Sequence, residues 1–376
     1  MIAVIADDFT GAAEIAGIGL RYGLKIALFT QNISASNADI IIVSSDSRSL
    51  KNADAVKVTA NIIKQLKALN PTLIYKKTDS VLRGFVIDEL RVQMELLGCK
   101  KALLLPANPS FKRTIVNGNY FVNDELIANT SFAIDPEFAI KNSSVKAMLK
   151  AETDDNISVL KLIDELPEKG IIVGEVAELL DIKKWIDKID ESFTLAGAGN
   201  FFNALLQEKY KLIDNYNSIQ FQTPSLFISG TTFAQSKKLI EDLKDENEFI
   251  HFIDNEVILN PYHEAWTNKV IHSLQKNKKT IIAINENINN CTALELRNSM
   301  AKTIKNIVEK TGIKEMFIEG GSTAAAILDE LNIHEFIPTH EIAQGVLRMK
   351  AVNKNLFISV KPGSYPLPKQ ILELYQ

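Results

Sequence analysis

The chain opens on an unbroken apolar run, Ile2 to Ala6, whose composition predicts a short strand buried on both faces. The run stops at Asp7-Asp8, and Phe9-Thr10-Gly11 leads into a predicted helix over Ala12 to Tyr22. Further apolar runs predict strands at Ile26 to Phe29, Asp39 to Val43, Thr72 to Tyr75 and Ala102 to Leu105, and amphipathic spacing predicts helices over Asn52 to Ala68 and Val86 to Leu97. Strand, polar cluster, helix is the recurring order, which is the signature of βαβ units and a mostly parallel sheet. Gly118 to Ile127 alternates around Asn123-Asp124 and predicts a β-hairpin. Asn142 to Asn156 is more polar and predicts a helix and loop, after which strands return at Ile157 to Leu160, Ile171 to Gly174 and Phe193 to Ala196.

From Asp214 to Thr223 the pattern loses its period, and a domain boundary is placed there, giving residues 1–218 and 222–376. Beyond it the same grammar resumes. Strands are predicted at Ser225 to Ile228, Thr280 to Ile284 and Glu315 to Glu319, and helices from Ala234 and over Ala265 to Lys276, Leu294 to Lys310 and Ala324 to Leu331. A last hairpin is expected around Asn353, with its second strand at Leu356 to Val360. The expected fold is α/β, with two domains, each a mostly parallel sheet flanked by helices, and added hairpins.

A length of 376 residues gives each domain enough chain for its own core. The net charge of −4 argues against a bulk attraction to nucleic acid or anionic lipid. Cys99 and Cys291 fit neither a metal spacing nor a redox pair. No apolar run has the length of a membrane helix, no basic region precedes the first strand, and a cytoplasmic protein is expected. All histidines lie in the last third without HxH or HExxH spacing, so chemistry in the first domain falls to carboxylates, lysines, arginines and hydroxyls.

Asp7-Asp8 stands at the C-terminal end of a parallel strand, where open α/β sheets place their ligands. One of the pair can cap the following helix; two adjacent aspartates cannot both do so. A phosphatase of the haloacid dehalogenase type would carry its nucleophile where this chain has Ala6, and Gly17, Gly19 and Gly23 fall within or at the end of the helix instead of in a dinucleotide-binding turn. The densest polar cluster is Lys76 to Gly84, with two lysines, Asp79, Ser80 and Arg83. It can hold an anion and a hydroxyl together, or else be a solvated loop that caps the next helix through Asp79 or Ser80. In the second domain, strands end in Ser229-Gly230-Thr231-Thr232, Gly320-Gly321-Ser322-Thr323 and Lys361 to Pro366. Glycines let a phosphate approach the backbone and helix N-termini supply N–H donors, so three such turns favour a nucleotide, while the Walker pattern is absent.

In this order the segments resemble the four-carbon acid sugar kinases over nearly the whole chain. Ala6 to Gly11 is similar to the family's ADD(L/F)TG, and Lys77 to Gly84 to its K-x-D-S-T-L-R-G. Pro106 to Pro109 with Asn117-Gly118 resembles the next block, and Leu195 to Gly199 the end of its first domain. Ser229-Gly230-Thr231, Gly320 to Thr323 and Lys361-Pro362-Gly363 resemble its SGS, GG-x-T and K-x-G turns. Two departures stand out: Val81 replaces a threonine, and Ser364-Tyr365-Pro366 replaces further glycines.

The resemblance implies ATP-dependent phosphorylation of a hydroxyl on an acid of the threonate, erythronate or 3-oxotetronate type. It implies acid binding through Asp7, Asp8, Arg48, Lys77, Asp79, Ser80 and Arg83, and ATP binding through Ser229, Gly230, Thr231, Gly320, Gly321, Ser322, Thr323 and Gly363. Mg²⁺ is expected on the ATP phosphates, with no protein metal ligand. The expected partners are the acid and ATP, without nucleic acid or membrane, and a homodimer is allowed. For the chemistry, Asp8 or Asp79 is expected to take the hydroxyl proton, with Arg48 and Arg83 on the substrate carboxylate or the developing charge, in a cleft that closes to exclude water. The alternative is a regulatory protein that keeps both sites with weakened catalysis. A nicotinamide-dependent dehydrogenase is disfavoured, because Asp7-Asp8 stands where its glycines belong.

Overall fold

The computed structural model describes the chain apart from residues 35, 136–137, 214–218, 231–233, 245–247, 286–287, 289–290, 364 and 376. It divides into two compact units, Met1–Ile26 with Ile33–Ile213, and Ala27–Asn32 with Asp214–Gln376.

The first part of the chain contains β1 (Ile2–Ala6), α1 (Phe9–Leu20), β2 (Ile26–Phe29), β3 (Ile40–Ser44), α2 (Asn52–Ala68), β4 (Leu73–Lys77), α3 (Val86–Leu97) and β5 (Lys101–Leu105). After these come β6 (Arg113–Val116), β7 (Asn119–Val122), β8 (Glu125–Leu126), α4 (Val145–Met148), β9 (Ile157–Leu160), β10 (Gly170–Gly174), α5 (Leu179–Ile186), β11 (Phe193–Gly197) and α6 (Gly199–Gln207). The first unit is built on a wholly parallel sheet in the order β3-β1-β4-β11-β5-β10-β9. Every residue of β1 is buried, as a central parallel strand covered by helices must be. A separate β6-β7-β8 meander carries the expected hairpin, and Asn123 and Asp124 turn it with positive φ at both positions (52° and 65°), the conformation of a two-residue I′ turn.

β4 departs from the sequence pattern in a way that matters for the site. The lysines after Tyr75 read as the start of a loop, yet both belong to the strand and both are buried. Successive strand residues point to opposite faces. Lys76 therefore meets Glu89 of α3 at 2.6 Å, and Lys77 meets Glu14 of α1 at 3.1 Å. Each helix supplies one carboxylate to neutralise one lysine, which lets a charged dipeptide end an interior strand.

The second unit contains β12 (Ser225–Ser229), α7 (Ala234–Lys244), β13 (Ile250–Ile253), α8 (Asn255–Leu259), α9 (Glu264–Asn277), β14 (Lys279–Ile284), α10 (Ala293–Lys310), β15 (Glu315–Glu319), α11 (Gly321–Glu330), β16 (Glu335–Ala343), β17 (Val346–Ala351), β18 (Phe357–Lys361) and α12 (Lys369–Tyr375). Its sheet runs β13-β14-β12-β15-β18-β17-β16-β2. The strands from β13 to β18 in that order pair in parallel, and β17, β16 and β2 are added antiparallel. Phe227, Phe317 and Tyr375 pack their rings at 5.6 and 5.8 Å in its core. β16 escaped the sequence reading because Pro338 interrupts it, and the ladder to β17 slips between Pro338 and His340. No described helix is long and apolar enough to cross a membrane.

Candidate active site

In the first unit, the adjacent parallel strands β3, β1 and β4 all end at one edge, and the polar clusters after them come together there. Arg48 is the hub. Its Nε and Nη2 donate to the two carboxylate oxygens of Asp7, each at 3.0 Å. Its Nη1 lies 3.0 Å from Asp8 Oδ2, and Nη2 lies 3.7 Å from Asp79 Oδ1. Gly84, at φ +89°, lets the chain pass this guanidinium; a Cβ there would sit 3.3 Å from Arg48 Cγ in a backbone conformation that other residues resist.

Asp8 is the N-cap of α1: Oδ1 accepts the Gly11 N–H at 2.7 Å and Oδ2 accepts the Thr10 hydroxyl at 2.7 Å. The same carboxylate faces Arg48, so capping and site membership coexist in one residue. Asp79 does not cap α3, and neither does Ser80; the N-cap is Phe85, with no side-chain hydrogen bond. That alternative for the Lys76 to Gly84 cluster is corrected here, and the reason is local. Asp79 is spent inside its own loop, accepting the forked Arg83 side chain (2.9 and 3.0 Å) and the N–H groups of Val81 (3.3 Å) and Arg83 (3.1 Å). Ser80 Oγ accepts from Arg113 Nη1, and its carbonyl accepts from the fully buried Tyr120 hydroxyl. Val81, where the family pattern has a hydroxyl, is fully buried.

Burial and charge set the protonation of these groups differently. Burial raises the Asp7 carboxyl, and Arg48 opposes it without cancelling it. For Asp8 burial also pushes upward, but Arg48 and Lys77 outweigh it and hold the carboxyl below its ordinary value. Asp79 is driven far down, because Arg83 and Arg48 overwhelm its burial. The neighbouring aspartates are thus pushed apart, the pattern by which sites assign different duties to like groups.

In the second unit the register of β12, β15 and β18 sets Ser229, Glu319 and Lys361 side by side at the C-terminal end of the sheet. Glu319 is buried and accepts the hydroxyls of Ser229 (2.7 Å) and Ser236 (2.5 Å), and Lys361 Nζ lies 2.7 Å from Glu319 Oε1. Lys361 also donates to the carbonyls of Pro362 (2.9 Å) and Tyr365 (2.5 Å), which fixes the turn that holds Gly363. Gly320, at φ +107°, enters α11 without a side-chain cap, and Gly321, Ser322 and Thr323 form the helix's first turn. The turn is tight: a Cβ on Gly230 would lie 2.1 Å from Thr323 Oγ1. Thr231 and Ser364 lie outside the described residues.

Asp7, Asp8, Arg48, Lys77, Asp79, Ser80 and Arg83 thus share one network in the first unit. Ser229, Gly230, Gly320, Gly321, Ser322 and Thr323 share one cradle in the second, with Gly363 on the turn that Lys361 holds. Sequence reasoning missed Glu14, Arg113, Tyr120 and Asp135 in the first and Glu319 in the second. Glu14 left a trace, a lone carboxylate inside an apolar helix. Arg113, Tyr120 and Asp135 reach the site from outside the strand ends, and no pattern in the sequence marks them.

Family models match both halves of the chain: residues 2–192 as a sugar-binding N-terminal domain and residues 226–365 as a nucleotide-binding C-terminal domain. A 3-oxo-tetronate kinase of Haemophilus influenzae is 23% identical over 403 aligned residues, covering 97% of each chain. A D-threonate kinase of Salmonella typhimurium is 22% identical and covers 90% of this chain and 88% of its own. A solved structure from Salmonella typhimurium LT2, described provisionally as a tRNA synthase, shares the fold with a TM-score of 0.79 at 16% identity, covering 100% of this chain and 97% of that one. With both domains matched in order and whole-length kinase relatives, the chain belongs to the four-carbon acid sugar kinase family.

Proposed function

We propose that the protein is an ATP-dependent kinase that phosphorylates a hydroxyl of a four-carbon sugar acid of the threonate, erythronate or 3-oxotetronate type. The observation that carries this reading is the glycine cradle at α11, where Gly320 replaces a capping side chain and Gly230 leaves no room for a Cβ. Backbone that close, at a helix N-terminus, suits phosphate oxygens. Gly321, Ser322 and Thr323 would donate to the ATP phosphates, and Lys361 and Glu319 would fix the floor beneath them. The relatives named for their acids supply the acceptor class. The sugar acid belongs to the first unit and the nucleotide to the second, and a cytoplasmic location accords with a supply of ATP.

Phosphoryl transfer passes through a loose transition state, so positioning and charge dominate. Asp8 takes the hydroxyl proton. It is the more exposed of the adjacent aspartates, and Arg48 keeps it ionised. Asp79 instead anchors Arg83 and the loop, since its oxygens are already occupied by that side chain and by backbone N–H groups. Mg²⁺, which keeps much of its water, fits binding through the ATP phosphates. When bound, it would neutralise phosphate charge.

The test is ADP production with ATP over stereoisomers of threonate, erythronate and 3-oxotetronate. Turnover with at least one acid is expected; ATP and acid binding without turnover would favour the regulatory reading. A second measurement addresses the cradle. Gly230→Ala must displace Thr323 or the turn, and is expected to weaken ADP binding at least about tenfold while leaving acid binding unchanged. Parental ADP affinity in that variant would remove the cradle from the nucleotide site.

A further inference from the structure

The first unit's site holds many cations, yet almost all are already answered by the chain's own carboxylates. Arg48 faces Asp7 and Asp8, Lys77 faces Glu14, and Arg83 faces Asp79 and, at 3.0 Å, Asp135. A ligand carboxylate added beside such a pair is attracted by the cation and repelled by its partner, so the net gain is small. Arg113 differs in degree: among the described residues no carboxylate lies within ion-pair distance of it, and Asp79 feels its charge only as a lesser influence behind Arg83 and Arg48.

Arg113 is nevertheless firmly placed. It begins β6, exchanges backbone hydrogen bonds with Asn108 (2.8 and 3.2 Å) and pairs with Val122 of β7. Its guanidinium lies 5.4 Å from the ring centre of Phe132 and 5.9 Å from that of Phe111, and Arg83 shares the Phe132 ring at 5.7 Å. Cation–π contact of this kind fixes the position of the guanidinium without using its N–H donors. Among the described residues, only Nη1 is engaged by a side chain, through Ser80 Oγ. Because that oxygen accepts from Arg113, the Ser80 hydroxyl keeps its own proton to donate.

Resting on the kinase reading above, we propose that Arg113 and Ser80 form the carboxylate-recognition subsite, which selects a sugar acid over a neutral sugar or alcohol. The forked guanidinium and the adjacent hydroxyl together present donors matched to a carboxylate. A neutral polyol of the same length offers the guanidinium no charge of its own. Arg83, covered on two sides by Asp79 and Asp135, shapes the loop beside this subsite and leaves the carboxylate to Arg113.

The test is calorimetric titration of the full chain with threonate and erythronate and with the neutral alcohols threitol and erythritol, alongside steady-state kinetics. The parent is expected to prefer its best acid to the matching alcohol by at least about tenfold, and Arg113→Gln to lose that preference, with acid affinity falling roughly ten- to hundredfold. KM should rise by a similar factor while kcat at saturating acid moves little, the mark of binding shared by ground and transition states. Arg113→Lys keeps the charge but loses the fork, and an intermediate loss of about five- to tenfold is expected, which covers the case in which the glutamine variant fails to fold. Parental acid affinity in either variant overturns the assignment while leaving the kinase reading intact. A parent that binds none of the acids overturns both.

Discussion

Arg48→Met is expected to destabilise the first unit by about 3–5 kcal/mol near neutral pH and to abolish activity, because it leaves the buried carboxylates of Asp7, Asp8 and Asp79 facing one another without their shared cation. Methionine fills much of the same volume, so packing loss is the smaller part of the effect. The pH dependence separates charge from packing. With Arg48 present, Asp8 and Asp79 titrate below their ordinary values, and the stability they bring is present above about pH 4 and lost as the pH falls through their folded values. Asp7 is raised and works the other way: its contribution is present below about pH 4 and lost as the pH rises through its folded value. Without the arginine, all three lose a lowering influence and shift toward the behaviour of Asp7. The deficit relative to the parent should therefore be largest near pH 7 and shrink toward pH 4, as read by urea unfolding at each pH. A deficit independent of pH would mean that Arg48 contributes through packing alone.

What the sequence displayed, and what it hid, follows from the range of each interaction. Strand runs and helix periods are local, so β1, α2 and α3 were legible from spacing alone, as was the Asn123-Asp124 turn, whose residue types are dictated by positive φ. The strand-end lysines were not. Lys76, Lys77 and Lys361 each look like the first residues of a solvated loop, and each is buried against a glutamate from another element, Glu89, Glu14 and Glu319. Glu14 and Glu319 lie far off along the chain and Glu89 in the next helix; the packing of α1 and α3 on the sheet brings the first two lysines to their partners, and the register of β15 and β18 the third. For the same reason the turn at Gly320 was visible as a glycine pair, while the Ser229-Glu319-Lys361 row beside it was not. The start of α11 was misplaced for a related cause. Gly321 to Thr323 has poor helix propensity, but the turn's packing against Gly230 draws those residues into the helix.

Residues 27–32 make the point for topology. Ile26–Phe29 follows α1 directly, inside the segment expected to be the first domain, and residues 27–32 cluster with the second unit, where Leu28 and Phe29 pair with Phe336 and Glu335 of β16. Thr30 then bonds His334 at 3.0 Å, and Gln31 bonds Asp329 at 3.0 Å. An apolar strand carries no record of its partners, so the pairing with β16, far along the chain, could not be inferred from the pattern.

Asp8→Asn is expected to lower kcat by about 10² to 10⁴, and to cost some stability near neutral pH, where the charge that Arg48 and Lys77 favour is missing. Asparagine is as good a cap as aspartate, so the bond from the Gly11 N–H survives; what disappears is the capacity to accept a proton and the charge facing Arg48. Asp7→Asn should keep more of the parental turnover. Both Asp7 oxygens are held by the Arg48 fork and the side chain is nearly inaccessible, so that variant is expected to act through the placement of Arg48 and not through proton transfer. The acid limb of kcat/KM in the parent gives an independent reading. If Asp8 is the base, its carboxyl is held below the ordinary value by Arg48 and Lys77, and activity should persist down to about pH 4 before it falls. If Asp7 were the base, burial would move that limb above the ordinary carboxylate value. Near-parental kcat for Asp8→Asn, together with an acid limb displaced upward, would transfer the proton-accepting role to Asp7 and leave Asp8 as the cap of α1.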